Sequence, residues 1–324
     1  MKGISHIIFF MLLAITVNSF VYFGFANTYS TTILNHHQFI EQFHSGIYQY
    51  RILSGYLLMG IYQFLGEFNL DYSIFKFKFI EENSEPRMYL ALYLLNTIFL
   101  TLCSLFIYGI TKSKLFNASK SEKIYLPTVA ILIMAVTQFV IVPYDCSSYF
   151  FLALFIYLFL KYLKENKTST LLLLGLTLAL STINRESSAL SISFGAVLLY
   201  HQFGISKKSI VPTGIFVLVF IAIYLGLRLS RGSFDTNDGL LIYENFTQAK
   251  NLLGLIFMGL LLHFTLIICE SKIQKKLIWS FLFFAIPYLA MCLLTGILYE
   301  VRLYVPIFLS TLVLSKIDLE KIKI

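Results

Sequence analysis

Six arginines, Arg51, Arg87, Arg185, Arg228, Arg231 and Arg302, are all that the 324-residue chain contains, and three of them stand one or two residues from a glutamate. A guanidinium is a planar, permanently charged fork that grips phosphate or carboxylate through paired N–H donors, whereas a lysine ammonium is a hydrated point charge. A carboxylate within reach of a hydroxyl can take its proton as the oxygen attacks, and fixed cations can hold the charge that develops on a departing group. Residues of these types in one place would suit chemistry on an anionic ligand.

Four short stretches carry them. The first holds His36, His37, Glu41 and His44, followed by Tyr48, Tyr50 and Arg51. On a helix His37, Glu41 and His44 share a face at spacings of four and three, which would arrange a metal site, a carboxylate flanked by imidazoles, or simply a solvated polar face. No recognised zinc pattern is present. The second is Pro143-Tyr144-Asp145-Cys146-Ser147-Ser148, read as a tight turn. There Asp145 can cap the following helix, and the same carboxylate can face a cavity. The third, Asn184-Arg185-Glu186-Ser187-Ser188, interrupts about 36 apolar residues. Opposite charges so near hydrocarbon are costly and tend to mark function, although any helical hairpin also needs a polar tip. The fourth, Tyr299-Glu300-Val301-Arg302 before Pro306, repeats the acid-plus-arginine pattern.

The elements that must position these residues are membrane helices. The chain is 58% hydrophobic and 13% charged, with a mean hydropathy of +0.77, outside the balance of a water-soluble domain. Apolar stretches at 4–25, 88–110, 125–143, 148–163, 169–183, 189–203, 210–227, 252–268, 277–298 and 303–314 predict about ten spans of one all-α membrane domain. The first stretch reads as a retained helix or as a cleavable signal, and either sends the next segment across. Lysines cluster in alternate loops: four in 111–124, three in 161–167, two in 206–208, three in 271–276 and three from Lys316 onward. By the positive-inside rule those loops and both termini are cytoplasmic in a plasma membrane, and all six arginines lie outside.

The net charge of +8 is then a topology signal; no basic face points to nucleic acid. Of the four cysteines, three sit in or beside apolar segments and Cys146 is expected in an exposed turn, so no disulfide framework is predicted. Two outer loops, 27–87 and 229–251, exceed turns. The first should carry an interfacial helix over 50–66, and the second reads as flexible, with Asp235 and Asp238 in it.

This layout resembles the membrane-embedded glycosyltransferases of the GT-C type, with a long first outer loop bearing interface helices and an acid, and another substantial outer loop after the seventh helix. The resemblance implies transfer of a sugar from a polyprenyl-phosphate donor to a glycan or lipid acceptor at the outer face. On that reading Glu41 or Asp145 is the base, and Arg51, Arg185 and Arg302 bind phosphate. His37, His44, Tyr50, Asn184, Glu186 and Glu300 support them. No metal ligands are assigned; magnesium or manganese stays open as a cofactor. Alternatives are an O-antigen or capsule polymerase or ligase, and a transporter or flippase of an anionic or lipid-linked solute. A transporter should place ionisable residues near the midplane. Here the mid-helix polar residues are Asn96, Thr97, Thr101, Gln138, Thr177 and His263, expected mostly to bond neighbouring helices.

Overall fold

Helix termini follow local chemistry wherever the chain offers it. Asn35 caps a helix by accepting from Gln38 N at 3.1 Å, Pro86 opens another where its missing N–H costs nothing, and Ser271 with Gln274 forms a capping box. Asn166 ends a helix in the left-handed conformation, φ 47°. The computed structural model describes residues 2–24, 31–68, 70–72, 84–231 and 239–322. Among the described residues the architecture is all-helical, with no strand and one isolated bridge, Phe116 to Ile317.

The helices are α1 (Lys2–Gly24), α2 (His36–Phe43), α3 (Ile52–Gly66), α4 (Pro86–Thr111), α5 (Glu122–Val136), α6 (Asp145–Glu165) and α7 (Thr168–Asn184). They continue with α8 (Ala189–Phe203), α9 (Lys207–Arg231), α10 (Ile242–Thr247), α11 (Ala249–Ile267), α12 (Lys272–Phe284), α13 (Ile286–Thr295) and α14 (Val305–Leu314). Six are long and apolar enough to cross a membrane, and α12 with α13 makes a seventh as a broken span. α3, α7 and the stretch Val301–Leu314 are apolar but shorter, so length and composition support six or seven crossings among the described residues.

The core lies around α6 and α14. α6 packs against α4, α7, α8 and α14, and every residue of α14 is buried. α9 and α11 are peripheral, turning Leu218, Leu225, Leu229, Leu253, Ile256 and Leu260 outward, as expected for helices whose apolar faces meet lipid. Polar bonds tie helices inside the apolar layer: Asn18 Nδ2 donates to Thr97 Oγ1 at 2.9 Å, and Asn96 Nδ2 to the Tyr22 hydroxyl at 2.6 Å. Thr177 bonds back within its own helix, His263 is exposed, and Gln138 and Thr101 keep buried polar atoms without a partner among the described residues. At the lysine-rich end, buried Lys316 bridges Glu122 at 2.6 Å and Glu270 at 2.7 Å, which fastens the chain after α14 to α5 and to the α11–α12 loop.

Three expectations change. The span over 277–298 is broken, with α12 and α13 meeting at 53°. Pro287 in the first turn of α13 cannot donate to the preceding turn, and its ring crowds that turn's carbonyl. The loop 229–251 is partly helical, since α9 runs to Arg231 and α10 forms before α11; Asp235 and Asp238 lie outside the described residues. The turn at 143–148 is already helix from Asp145, so Cys146 is fully buried. In the long first loop a helix does form near 50–66: α3 buries Ser54, Gly55, Leu58, Tyr62 and Leu65 along one face, against α4 and α7.

Candidate functional site

α7 ends in a buried polar clamp. Ser54 Oγ of α3 donates to Asn184 Oδ1 at 2.5 Å, and Asn184 Nδ2 donates to Ser147 Oγ at 2.9 Å and to the Tyr144 carbonyl at 3.3 Å. One amide therefore joins three helix ends. Arg185 leaves the helix in extended backbone, φ −165°, and Glu186–Ser188 form a 3-10 turn leading into α8. The arginine and the glutamate point into the space that the clamp holds open.

Each arginine there meets a carboxylate. Arg51, between the 3-10 turn Gly46–Tyr50 and α3, donates from Nε to Glu186 Oε2 at 3.1 Å and from Nη2 to Oε1. Its guanidinium lies 5.6 and 5.8 Å from the ring centroids of Tyr48 and Tyr144, which stack on each other. Asp145, the first residue of α6 and 0% exposed, takes Arg185 Nη1 on Oδ1 and Arg302 Nη1 on Oδ2 at 3.0 Å. The free amides of the α6 amino terminus add to its stabilisation. Arg302 Nη2 donates to Glu300 Oε2, while Arg302 Nε is buried with no partner among the described residues.

Tyrosines hold the last of these stretches. Tyr149 donates to the Arg302 carbonyl at 3.0 Å, Tyr288 to the Leu303 carbonyl at 2.8 Å and Tyr304 to the Leu298 carbonyl at 3.2 Å. Asn245 of α10 donates to the carbonyls of Leu293 and Gly296 and accepts from Leu298 N, which anchors the strap between α13 and Glu300. The groups so positioned line a cavity of about 370 Å³ whose polar wall includes Tyr48, Arg51, Arg185, Glu186, Glu300 and Arg302, with Tyr144 and Tyr288 beside them.

Burial of so many charges is tolerable only because they are paired. Burial by itself would push the Glu186 carboxyl up, but the adjoining Arg51 guanidinium outweighs it and holds the group at about 2. Burial, reinforced by the neighbouring Arg51 and Arg302, pulls Arg185 down to about 10, where it still carries its charge at neutral pH. Arg51 is raised: the cost of its burial is exceeded by the pull of Glu186. The site is a network in which three guanidiniums pair with three carboxyl groups, with unfilled donor capacity at Arg302.

The structure sorts the predicted residues into groups. Arg51, Arg185, Glu186, Glu300 and Arg302, from three distant stretches, share the cavity wall. Asp145 lies behind it and Asn184 supports it, both fully buried and neither lining it. The first stretch divides. α2 contributes Gln42 to the wall, but Glu41 pairs with His37 at 3.5 Å, the two side chains 68% and 81% exposed, and His44 is exposed at the helix end. Tyr50 is buried away from the cavity under the Arg228 guanidinium, 4.4 Å from its ring. Neither carboxylate expected as base, Glu41 or Asp145, borders the cavity.

His37, Glu41 and His44 do not assemble as metal ligands: among the described residues no group of three His, Cys, Asp or Glu side chains is placed to hold a metal ion. The acids of the cavity wall are instead engaged by arginines. Sequence reasoning picked out the stretches that hold Tyr48 and Tyr144 but missed Tyr149, Tyr288 and Asn245; among 21 tyrosines nothing local distinguishes those that brace a site. No family profile, curated protein or solved structure matches the chain.

Proposed function

We propose that this protein is a membrane glycosyltransferase of the GT-C type, which moves a sugar from a polyprenyl-phosphate donor to a glycan or lipid acceptor. The work takes place at the extracytoplasmic face of a plasma membrane. In this reading α1, α4 to α9, α11, the broken pair α12–α13 and α14 are ten crossings, both termini are cytoplasmic, and the arginine end faces outward. One observation carries the proposal: Arg51, Arg185 and Arg302 converge, with Glu186 and Glu300 beside them and Asp145 behind, on a single cavity at the end of the bundle opposite the lysines.

A donor phosphate would bind at the guanidiniums and leave as lipid phosphate, its charge held by Arg185 and Arg302. The lipid tail stays in the bilayer beside the bundle, and a volume of about 370 Å³ suits a sugar phosphate rather than a long glycan. Asp145 orients two arginines and has no access to an acceptor hydroxyl. The test is to incubate the purified chain with polyprenyl-phosphate sugars and an acceptor glycolipid and to follow free lipid phosphate. Arg185→Ala should lower kcat by about 10²–10³ while weakening donor binding far less, the pattern for a group that holds charge in the transition state. Undiminished turnover in that variant would remove the assignment; loss of lipid-linked sugar from one leaflet without release of lipid phosphate would make the protein a flippase.

A further inference from the structure

We propose that Glu300 is a displaceable counter-ion: an anionic ligand takes its place on Arg302, and the carboxylate released is the base that accepts the acceptor's proton. The second half rests on the sugar-transfer reading; the exchange itself rests on the charges and geometry of the cavity.

Three guanidiniums already face three carboxylates, so no net positive charge awaits an anion. Adding a phosphate to a network whose charges already balance leaves uncompensated negative charge, which a largely buried site tolerates badly. One carboxylate must give way, and their settings differ. Asp145 is fixed by two arginines, is fully buried and does not reach the cavity. Glu186 fills the whole Nε–Nη2 fork of Arg51 with both of its oxygens. Glu300 fills half of the equivalent fork of Arg302: Nη2 meets Oε2, while Nε has no partner and Oε1 makes no hydrogen bond among the described residues.

The arginine is held independently of that glutamate. Its Nη1 stays on Asp145, its carbonyl is bonded by the Tyr149 hydroxyl, and it is only 8% exposed. Glu300 precedes the 3-10 turn Val301–Tyr304, at the end of an irregular link from α13, so its side chain can rotate without moving a helix. A phosphate occupying the complete Nε–Nη2 fork gains a bidentate contact that Glu300 does not make. It also leaves that carboxylate in the cavity, next to the ligand and without its cation.

The reaction then balances. The acceptor hydroxyl gives its proton to Glu300, and its oxygen forms the new bond to the anomeric carbon. The bond from that carbon to the phosphate oxygen breaks, and its electron pair stays on the lipid phosphate at Arg302 and Arg185. When the lipid phosphate departs, Glu300 loses the proton to water and returns to Arg302.

The experiment uses the full chain in lipid nanodiscs, with farnesyl phosphate as the anionic probe and farnesol as the neutral one. Glu300→Gln should bind farnesyl phosphate several-fold tighter than the parent, because the competing carboxylate is gone, with farnesol binding unchanged. In the same preparation its kcat should fall by about 10²–10⁴, the contribution of a general base. Glu300→Ala, included in case the amide variant folds poorly, should regain turnover with added formate. Weaker or equal phosphate binding by both variants would overturn the exchange, because a carboxylate that merely holds Arg302 in place should cost affinity when lost. Parental turnover by Glu300→Gln would overturn its role as base while leaving sugar transfer intact. Tighter phosphate binding in a chain whose parent transfers no sugar would sink the transferase reading and leave the exchange standing.

Discussion

Arg51 and Glu186 show what a residue type contributes that its charge alone does not. The guanidinium grips both carboxylate oxygens and lies near two tyrosine rings, so a lysine in its place would keep the charge and lose the fork. Because the folded carboxyl sits at about 2 against an ordinary 4.5, the pair's contribution to stability is complete above about pH 4.5 and is lost as pH falls through about 2. Thermal unfolding should place Glu186→Gln below the parent by a steady margin from pH 8 to 5, of order 3–5 kcal/mol because a buried guanidinium loses its partner. The two curves should converge between pH 4.5 and 2; a gap that persists at pH 2 would mean the glutamate stabilises through something other than its charge.

Helix ends, more than helix bodies, build the site. Asn184 ties α7 to α3 and α6 through hydrogen bonds that an apolar isostere cannot make. Asn184→Leu should cost about 1–3 kcal/mol and lower turnover without altering which lipid phosphate is bound, measured by denaturation in detergent and by the transfer assay. A second element-scale test compares two glycines of α11. A Cβ at Gly254 would collide with the Leu298 carbonyl, in the link that leads to Glu300, whereas Gly259 has no neighbour within 4 Å. Gly254→Ala should destabilise by about 1–3 kcal/mol through that backbone clash. Gly259→Ala should be neutral or stabilise by up to about 1 kcal/mol, because alanine is the better helix former. Equal effects would show that the close approach of α11 to this link is not a packing constraint.

At the scale of the whole molecule, the charges are divided between two ends. α6 and α14 both run from the arginine cluster to lysines, Lys161 and Lys164 in one case and Lys316 in the other. If the positive-inside rule sets this orientation, an impermeant maleimide should label Ser45→Cys in intact cells and Ser119→Cys only after lysis, in a chain whose four native cysteines are replaced. Both serines are exposed, Ser45 beside α2 and Ser119 ahead of α5, so access depends on the side of the membrane. The reverse labelling pattern would put the cavity in the cytoplasm and end the outer-face transferase reading.

Hydropathy alone determined that the described residues form an all-helical fold with membrane-length apolar helices, because apolar side chains over a sufficient length decide that without reference to any partner. Local chemistry also marked Arg185, Glu186, Glu300 and Arg302 as functional candidates, since charge is costly at a break between apolar stretches. Only the tertiary structure decided which acid meets which arginine. Asp145 looks like a helix cap in sequence and proves to be a buried bridge between Arg185 and Arg302, 40 and 157 residues away. Glu41, the first acid after the first apolar stretch, instead faces outward beside His37. The tyrosine braces were equally invisible, since a hydrogen bond expresses what the opposing element offers, whereas the break at Pro287 has its cause in the sequence, where a proline stands inside the stretch read as one span. Periodicity records how one helix divides its faces; the pairing of charges across helix ends depends on how several helices are arranged around one another.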